Sequence, residues 1–263
     1  MRIVVEAAGV IGPGLPGWST SRESLRGAQP YAPAQLSLPK LDILPSVERR
    51  RTGQPVKLAM AAALDALTGS PRALHQLSTV FTSSGADGLV LHEICETLAG
   101  HDRQVSPTRF HNSVHNAPAG YWSLATRSHE PSTSLCAYDW SFAAGLLEAA
   151  AQVTVEHDAV LLVSFDLPYC EPIHSARPIV GSLGVALLVA REPASAALAR
   201  IDVGVAQREP PTQMADPALE RLRAGNSTGR ALPLLAALAR GEPARLALDY
   251  VAERSLSLRV TPC

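Results

Sequence analysis

Residues 106–166 read SPTRFHNSVHNAPAGYWSLATRSHEPSTSLCAYDWSFAAGLLEAAAQVTVEHDAVLLVSFD. The pattern predicts a helix over Arg109–Thr126 with a break near Pro118, then a strand over Ser132–Tyr138. A small-residue helix over Ser141–Val155 follows, and Ala159–Phe165 is an uninterrupted apolar strand of the parallel kind that is covered on both faces. Helix and strand alternate around one apolar core, which is the signature of an α/β fold.

The same alternation extends outward. Residues 2–11 (RIVVEAAGVI) predict a strand ending at the turn Gly12-Pro13-Gly14, and residues 18–55, rich in Pro, Ser and Arg, read as irregular connection. Val56–Leu67 (VKLAMAAALDAL) is apolar on nearly every face and predicts a buried helix stopped by Gly69 and Pro71. Thr79–Ser83 is a short strand whose SGADG turn leads into a helix over Val90–Ala99, and Ser182–Ala190 is a second apolar strand. Past Arg191 the pattern thins to a strand over Ala199–Val205, helices over Pro217–Ala224 and Ala231–Arg240, and a closing strand over Leu256–Val260. Glu209–Asp216, with two prolines, is the linker candidate, and no repeat of solenoid length is visible.

Composition narrows the function classes. Of the 263 residues 46% are hydrophobic and the formal net charge is −1, so no basic face for nucleic acid is expected. The opening MRIVVEAAGVIGPG is charged too early for a signal peptide or a membrane span, and the expected location is the cytoplasm. Cys95, Cys136, Cys170 and Cys263 form no CxxC pair. They are expected to be reduced thiols, three of them buried and one on the tail. His111 and His115 stand four apart on the predicted helix, a spacing that can place two imidazoles on one face. They lack the intervening Glu of HExxH and a third ligand, so interface or core roles are expected and no metal. Residues 12–17 (GPGLPG) lack the lysine of a phosphate loop, and Arg49-Arg50-Arg51 reads as a solvated patch or one that faces an acyl carrier.

Several segments, in the correct order, resemble β-ketoacyl synthases of the thiolase fold. They are the opening strand with its Gly-rich turn, RRRTGQPVKLAMAAALDAL, FTSSGADGL, SPTRFHNSVHNAPAGYWSLA, PSTSLCAYDWSFAAGLLEAA and SARPIVGSLGVALLVAR. The likeness implies a layered α-β-α architecture with a ketosynthase N-terminal-like half over residues 1–195 and a compressed second half over 196–263. Synthases of this kind need a thiolate on a strand–helix turn, where the helix N-terminus lowers the thiol pKa and helps hold an oxyanion. Matching Pro131 and Ser134 forward puts Asp139 at that position, and matching the following strand backward puts Trp140 there; neither is a thiol. Cys136, inside the predicted strand, is expected to be a buried structural cysteine. A register shift that makes it the nucleophile is the alternative, and would give a small acyltransferase.

The segment STGRALPLLAALARGEPARLALDYVAERSLSLRV is similar to the family's Thr-Gly-His segment, with Arg230 where histidine would follow Thr228-Gly229. No histidine occurs after His174. The resemblance therefore implies a chain-length factor of the type II polyketide or aryl-polyene kind: a non-catalytic subunit that pairs with a full-length β-ketoacyl synthase, meets its acyl carrier protein and shapes a shared acyl tunnel. No cofactor is expected. Thr108, Phe110, His111 and Tyr121 are the expected tunnel and interface residues, with the small Thr108 standing where the family can carry a bulky aromatic gate.

Overall fold

The computed structural model describes residues 1–194, 196–251 and 253–263. In chain order the elements are β1 (Arg2–Ile11), α1 (Trp18–Leu25), α2 (Ser46–Arg51), α3 (Gln54–Ala66), β2 (Ser78–Thr82), α4 (Gly88–Ala99), α5 (Pro107–Asn112), α6 (Ala117–Thr126), β3 (Ser132–Leu135), α7 (Ser141–Val155), β4 (Ala159–Asp166), α8 (Ile173–Ala176), β5 (Leu183–Ala190), β6 (Ala199–Gln207), α9 (Pro217–Gly225), α10 (Leu232–Arg240), β7 (Ala244–Tyr250) and β8 (Arg254–Pro262).

One eight-stranded sheet runs in the order β3-β2-β4-β5-β1-β6-β8-β7. β3, β2 and β4 are parallel, as crossover helices require, and every other pairing is antiparallel. The apolar runs of β4 and β5 are buried at all eight positions each. Their double cover was foreseeable from the sequence, but β5 runs antiparallel to both of its neighbours. A continuous apolar strand reports burial on two faces and is silent about direction.

Two helical layers provide that cover. α3 and α6 pack on one face against Phe81, Leu161, Val163, Phe165 and Leu188. α7 and α10 pack on the other against Val80, Leu162, Val185, Leu187 and the inward residues of β6, β7 and β8. α3 lies so close to the sheet that a Cβ on Gly9 would sit 2.3 Å from the Ala62 carbonyl oxygen. The run of alanines in α3 serves this approach, since larger side chains would hold helix and strand apart.

β1 is interrupted at Glu6, where the register with β5 shifts. The Glu6 carboxylate accepts from Arg72 at 2.6 and 2.7 Å and from the Ala194 amide at 2.7 Å. Burial alone would push its pKa up; the Arg72 guanidinium and the Ala194 N–H outweigh that and hold it below the usual glutamate value.

Other expectations need correction. Residues 18–55 contain α1 and α2 and are not wholly irregular. The helix expected over Arg109–Thr126 is two helices, with the chain leaving helical geometry between Asn112 and Ala117. The strand expected to reach Tyr138 stops at Leu135. β7 went unforeseen because its residues are only partly buried, and the expected linker is bound along it: Thr212 N–H donates to the Ala247 carbonyl at 2.9 Å. The expected boundary at residue 195 falls outside the described residues, and β1 joins both sides of it by pairing with β5 and β6.

Candidate functional site

The strand–helix elbow between β3 and α7 is the place where the expected chemistry would stand. Tyr138 turns the chain there with a left-handed φ of 54°, and a short 3-10 turn over Tyr138–Trp140 feeds into α7. Ser141 Oγ accepts from the Ala137 amide at 3.0 Å and donates to the Tyr138 carbonyl at 2.7 Å. Ser227 Oγ donates to the same carbonyl at 3.1 Å, so the second half of the chain helps to fix the elbow. A left-handed tyrosine carries a strain of order 1–3 kcal/mol, and these bonds hold it in place.

Charge fills the space in front of the elbow. Asp139 accepts from Arg177 at 3.0 Å, and the Arg177 guanidinium lies 3.4 Å over the centre of the Tyr138 ring. Arg230 stands 3.9 Å from Asp139 and pairs with Asp249. Arg223 continues the chain, 3.7 Å from Asp249 and 2.7 Å from Glu220, whose pKa the guanidinium pulls below the usual value. The side chains of Arg177, Arg230 and Arg223 are 17, 16 and 8% exposed, so solvent weakens these contacts only partly. Three guanidinium groups face three carboxylates. A carboxylate held this way is no nucleophile towards a thioester, and a guanidinium cannot act as a general base near neutral pH.

The Thr228-Gly229 turn is fastened beside it by a fully buried carboxylate, Asp166, at the end of β4. Asp166 accepts from Ser84 N and Oγ at 2.8 and 2.7 Å, from Ser83 Oγ at 3.2 Å, and from Thr228 N and Oγ1 at 3.2 and 3.0 Å. Burial pushes its pKa up, and these bonds pull against the rise. A Cβ on Gly229 would meet the Leu222 carbonyl oxygen at 2.3 Å, which explains the glycine. The expected strand ended one residue short of Asp166. A carboxylate directly after a wholly apolar strand was the signal that could have found it. Arg177 and Asp249 left no such signal, since their roles depend on where distant segments return.

Cys136 is exposed and lies past the end of β3; its Sγ donates to the Ser84 carbonyl at 3.4 Å. This corrects the expected buried strand cysteine. Cys95 and Cys263 are also exposed and Cys170 is half-buried, so none of the four thiols is the buried hydrophobe expected of three of them. Trp140 is half-buried at the start of α7.

A second locus lies on α5 and α6. Thr108, His111 and Tyr121 come together with Pro107, Glu48 and Arg51 around a cleft of about 300 Å³. Tyr121 is 3% exposed and its hydroxyl donates to Asn112 Oδ1 at 3.2 Å, while Asn112 Nδ2 donates to the Arg51 carbonyl at 2.7 Å. The His111 ring meets the Tyr121 ring edge-on at 5.8 Å. Phe110 does not join the cleft and is 66% exposed. His111 and His115 do not share a helical face, because the break after Asn112 lies between them. Instead, His115 Nε2 lies 3.2 Å from the Ser83 carbonyl. Among the described residues no three His, Cys, Asp or Glu side chains converge to hold a cation, and no helix is long and apolar enough to cross a membrane.

The fold has close counterparts. The chain superimposes over 98% of its length on 99% of a chain from the complex of the ketosynthase ApeO with its chain length factor ApeC from Xenorhabdus doucetiae, with a TM-score of 0.75 and 21% identity. The ishigamide ketosynthase/chain length factor matches over 100% of this chain and 99% of that one, with a TM-score of 0.75 and 12% identity. A ketosynthase from module 6 of the bacillaene synthase of Bacillus subtilis 168 matches at 0.58 and 13% identity, over 86% of this chain but only 44% of that one. No curated protein sequence matches. A family model described as the β-ketoacyl synthase N-terminal domain matches residues 22–244, and the chain belongs to that family.

Proposed function

We propose that this chain is a chain-length factor: a ketosynthase-like subunit without condensing activity of its own, which pairs with a full-length β-ketoacyl synthase and shapes the acyl tunnel that the two share. One observation carries the reading. At the positions that the resemblance assigns to a thiol (Asp139 or Trp140) and to an imidazole (Arg230) neither group stands, and Asp139 and Arg230 belong to one chain of ion pairs. The end-to-end match to chains from ketosynthase/chain length factor complexes supports it. In this reading residues 1–195 are the ketosynthase-like half and 196–263 the compressed half. Thr108, Phe110, His111 and Tyr121 form the tunnel and interface wall, the exposed Phe110 facing the partner. The acyl chain arrives on a carrier protein.

Co-expression with the full-length ketosynthase tests this. A heterodimer that condenses acyl units, beside an isolated chain that does not, is the expected result. Thr108→Trp should shorten the products while the heterodimer persists. A condensing enzyme that works equally well without this chain would sink the proposal.

The exposure of Cys136 at the elbow favours one second reading, a small acyltransferase that uses this thiol. Mass spectrometry after incubation with an acyl-carrier thioester separates the two. A stable acyl adduct on Cys136, lost in Cys136→Ala, would support the acyltransferase; an unmodified thiol supports the chain-length factor.

A further inference from the structure

One line of residues crosses four adjacent strands in register. Arg2 on β1 lies opposite Asp202 on β6, Asp202 opposite Arg259 on β8, and Arg259 opposite Arg245 on β7. All four point away from the core that α7 and α10 cover; the three arginines are exposed, and Asp202 is half-exposed. Arg2 and Asp202 pair at 2.8 Å. Among the described residues neither Arg245 nor Arg259 has an ion-pair partner, although they stand directly opposite each other. Like charges in that arrangement repel and destabilise a sheet. Beside them lies an open trough of about 320 Å³ over Gly204 and Ser257, with no heavy atom within 4 Å of the place a Gly204 side chain would occupy. In a chain whose net charge is −1, this is a local excess of positive charge on an uncovered sheet face.

We propose that this face of β6, β8 and β7 is a docking surface for an acidic helix of a protein partner. Adjacent strands space their side chains about 4.8 Å apart. Carboxylates one helical turn apart on a partner helix stand about 5–6 Å apart, so a Glu/Glu pair at i, i+4 meets Arg259 and Arg245 together, each as a charge-assisted bond. The trough beside the pair gives the helix backbone room to approach. A lipid surface fits less well: Val205 is the single large apolar side chain exposed among the residues lining the trough, and membrane-surface binding needs several. Single-stranded nucleic acid calls for stacking aromatics, and the trough has none. Taking the partner to be the acyl carrier protein rests on the function proposed above.

The test is binding of a fluorescently labelled acyl carrier protein to the full chain, alone and with its ketosynthase, over a range of salt concentrations. Arg245→Glu with Arg259→Glu should weaken binding at least tenfold and flatten its salt dependence, with an unchanged melting temperature. Arg245→Lys with Arg259→Lys should keep most of it. Unchanged affinity in the double Glu variant overturns the proposal. So does loss of binding only when Arg49, Arg50 and Arg51 are reversed, or binding only to phosphatidylglycerol vesicles or to an oligonucleotide. If the wild-type chain forms no heterodimer yet binds the carrier through Arg245 and Arg259, the chain-length reading fails and the surface stands. A heterodimer whose carrier binding ignores both arginines overturns the surface and leaves the chain-length reading standing.

Discussion

β4 and β5 are buried at every position, whereas β6 alternates buried with exposed residues along most of its length. The two regions belong to one sheet but live in different surroundings. β2, β4, β5 and β1 lie between two helical layers; β6, β8 and β7 have one, and turn a polar face outward. The difference is one of cover: the first group is packed on both faces, and the second leaves one face to solvent. Core strands buried on both faces keep a carboxylate only where it is fully bonded, as Glu6 is to Arg72 and the Ala194 amide and Asp166 to Ser83, Ser84 and Thr228, while the half-covered strands carry charged side chains in solvent.

The largest effect should separate the regions by stability. Phe165→Ala, in the doubly covered strand, should cost about 3–5 kcal/mol, whereas Thr261→Ala on the open face should change stability by less than about 0.5 kcal/mol. Urea unfolding of both variants measures this. Comparable losses would break the distinction. Arg72→Ala comes next. It strands Glu6, whose side chain is 3% exposed, and should cost about 3 kcal/mol. Because Glu6 is held below its ordinary value of 4.5, its contribution is complete above that pH and fades as pH falls through the lower folded value. The variant should therefore lose part of the acid limb of the stability curve.

A smaller effect is expected where the second half meets the elbow. Arg230→His introduces an imidazole but removes the charge between Asp139 and Asp249, and should cost about 1–2 kcal/mol. It should yield no condensation activity, which a radiolabelled malonyl assay on the isolated variant would check. The smallest effect is a slope. Asp166 has its pKa raised by burial, so the folded state binds a proton more readily than the unfolded one. Stability should then decline as pH rises from 3.8 towards the raised folded value. Asp166→Asn should remove that decline in a series of melting curves.

The covered half of the molecule was largely legible in the sequence because double burial imposes a long apolar run. α7 over Ser141–Val155 was readable to the residue, and β4 and β5 to within one residue. The open half was less so. Half-covered strands carry a two-residue alternation that a short segment such as Ala244–Tyr250 shows only weakly. At the elbow, that neither Asp139 nor Trp140 is a thiol could be read directly from the sequence. The ion pairs there could not, because Arg177 and Asp249 come from segments 38 and 110 residues away from Asp139. Phe110 and Tyr121 show the same limit. Both are aromatic residues on neighbouring short helices, yet one is exposed and the other buried, since the break after Asn112 rotates one helix against the other.

The central place of β1 has a consequence for how the chain acquires its shape. β1 is made before both of its neighbours, β5 and β6. During synthesis at roughly 5–20 residues per second, Ile3, Val4, Val5 and Val10 wait tens of seconds before Leu183–Ala190 emerges to pair with them. For that interval a strand destined for the middle of the sheet has two open edges. Its productive partner must compete with any other exposed edge in the vicinity, including the β1 of a neighbouring nascent copy. Expression yield should therefore depend on keeping nascent copies apart as much as on the stability of the finished molecule.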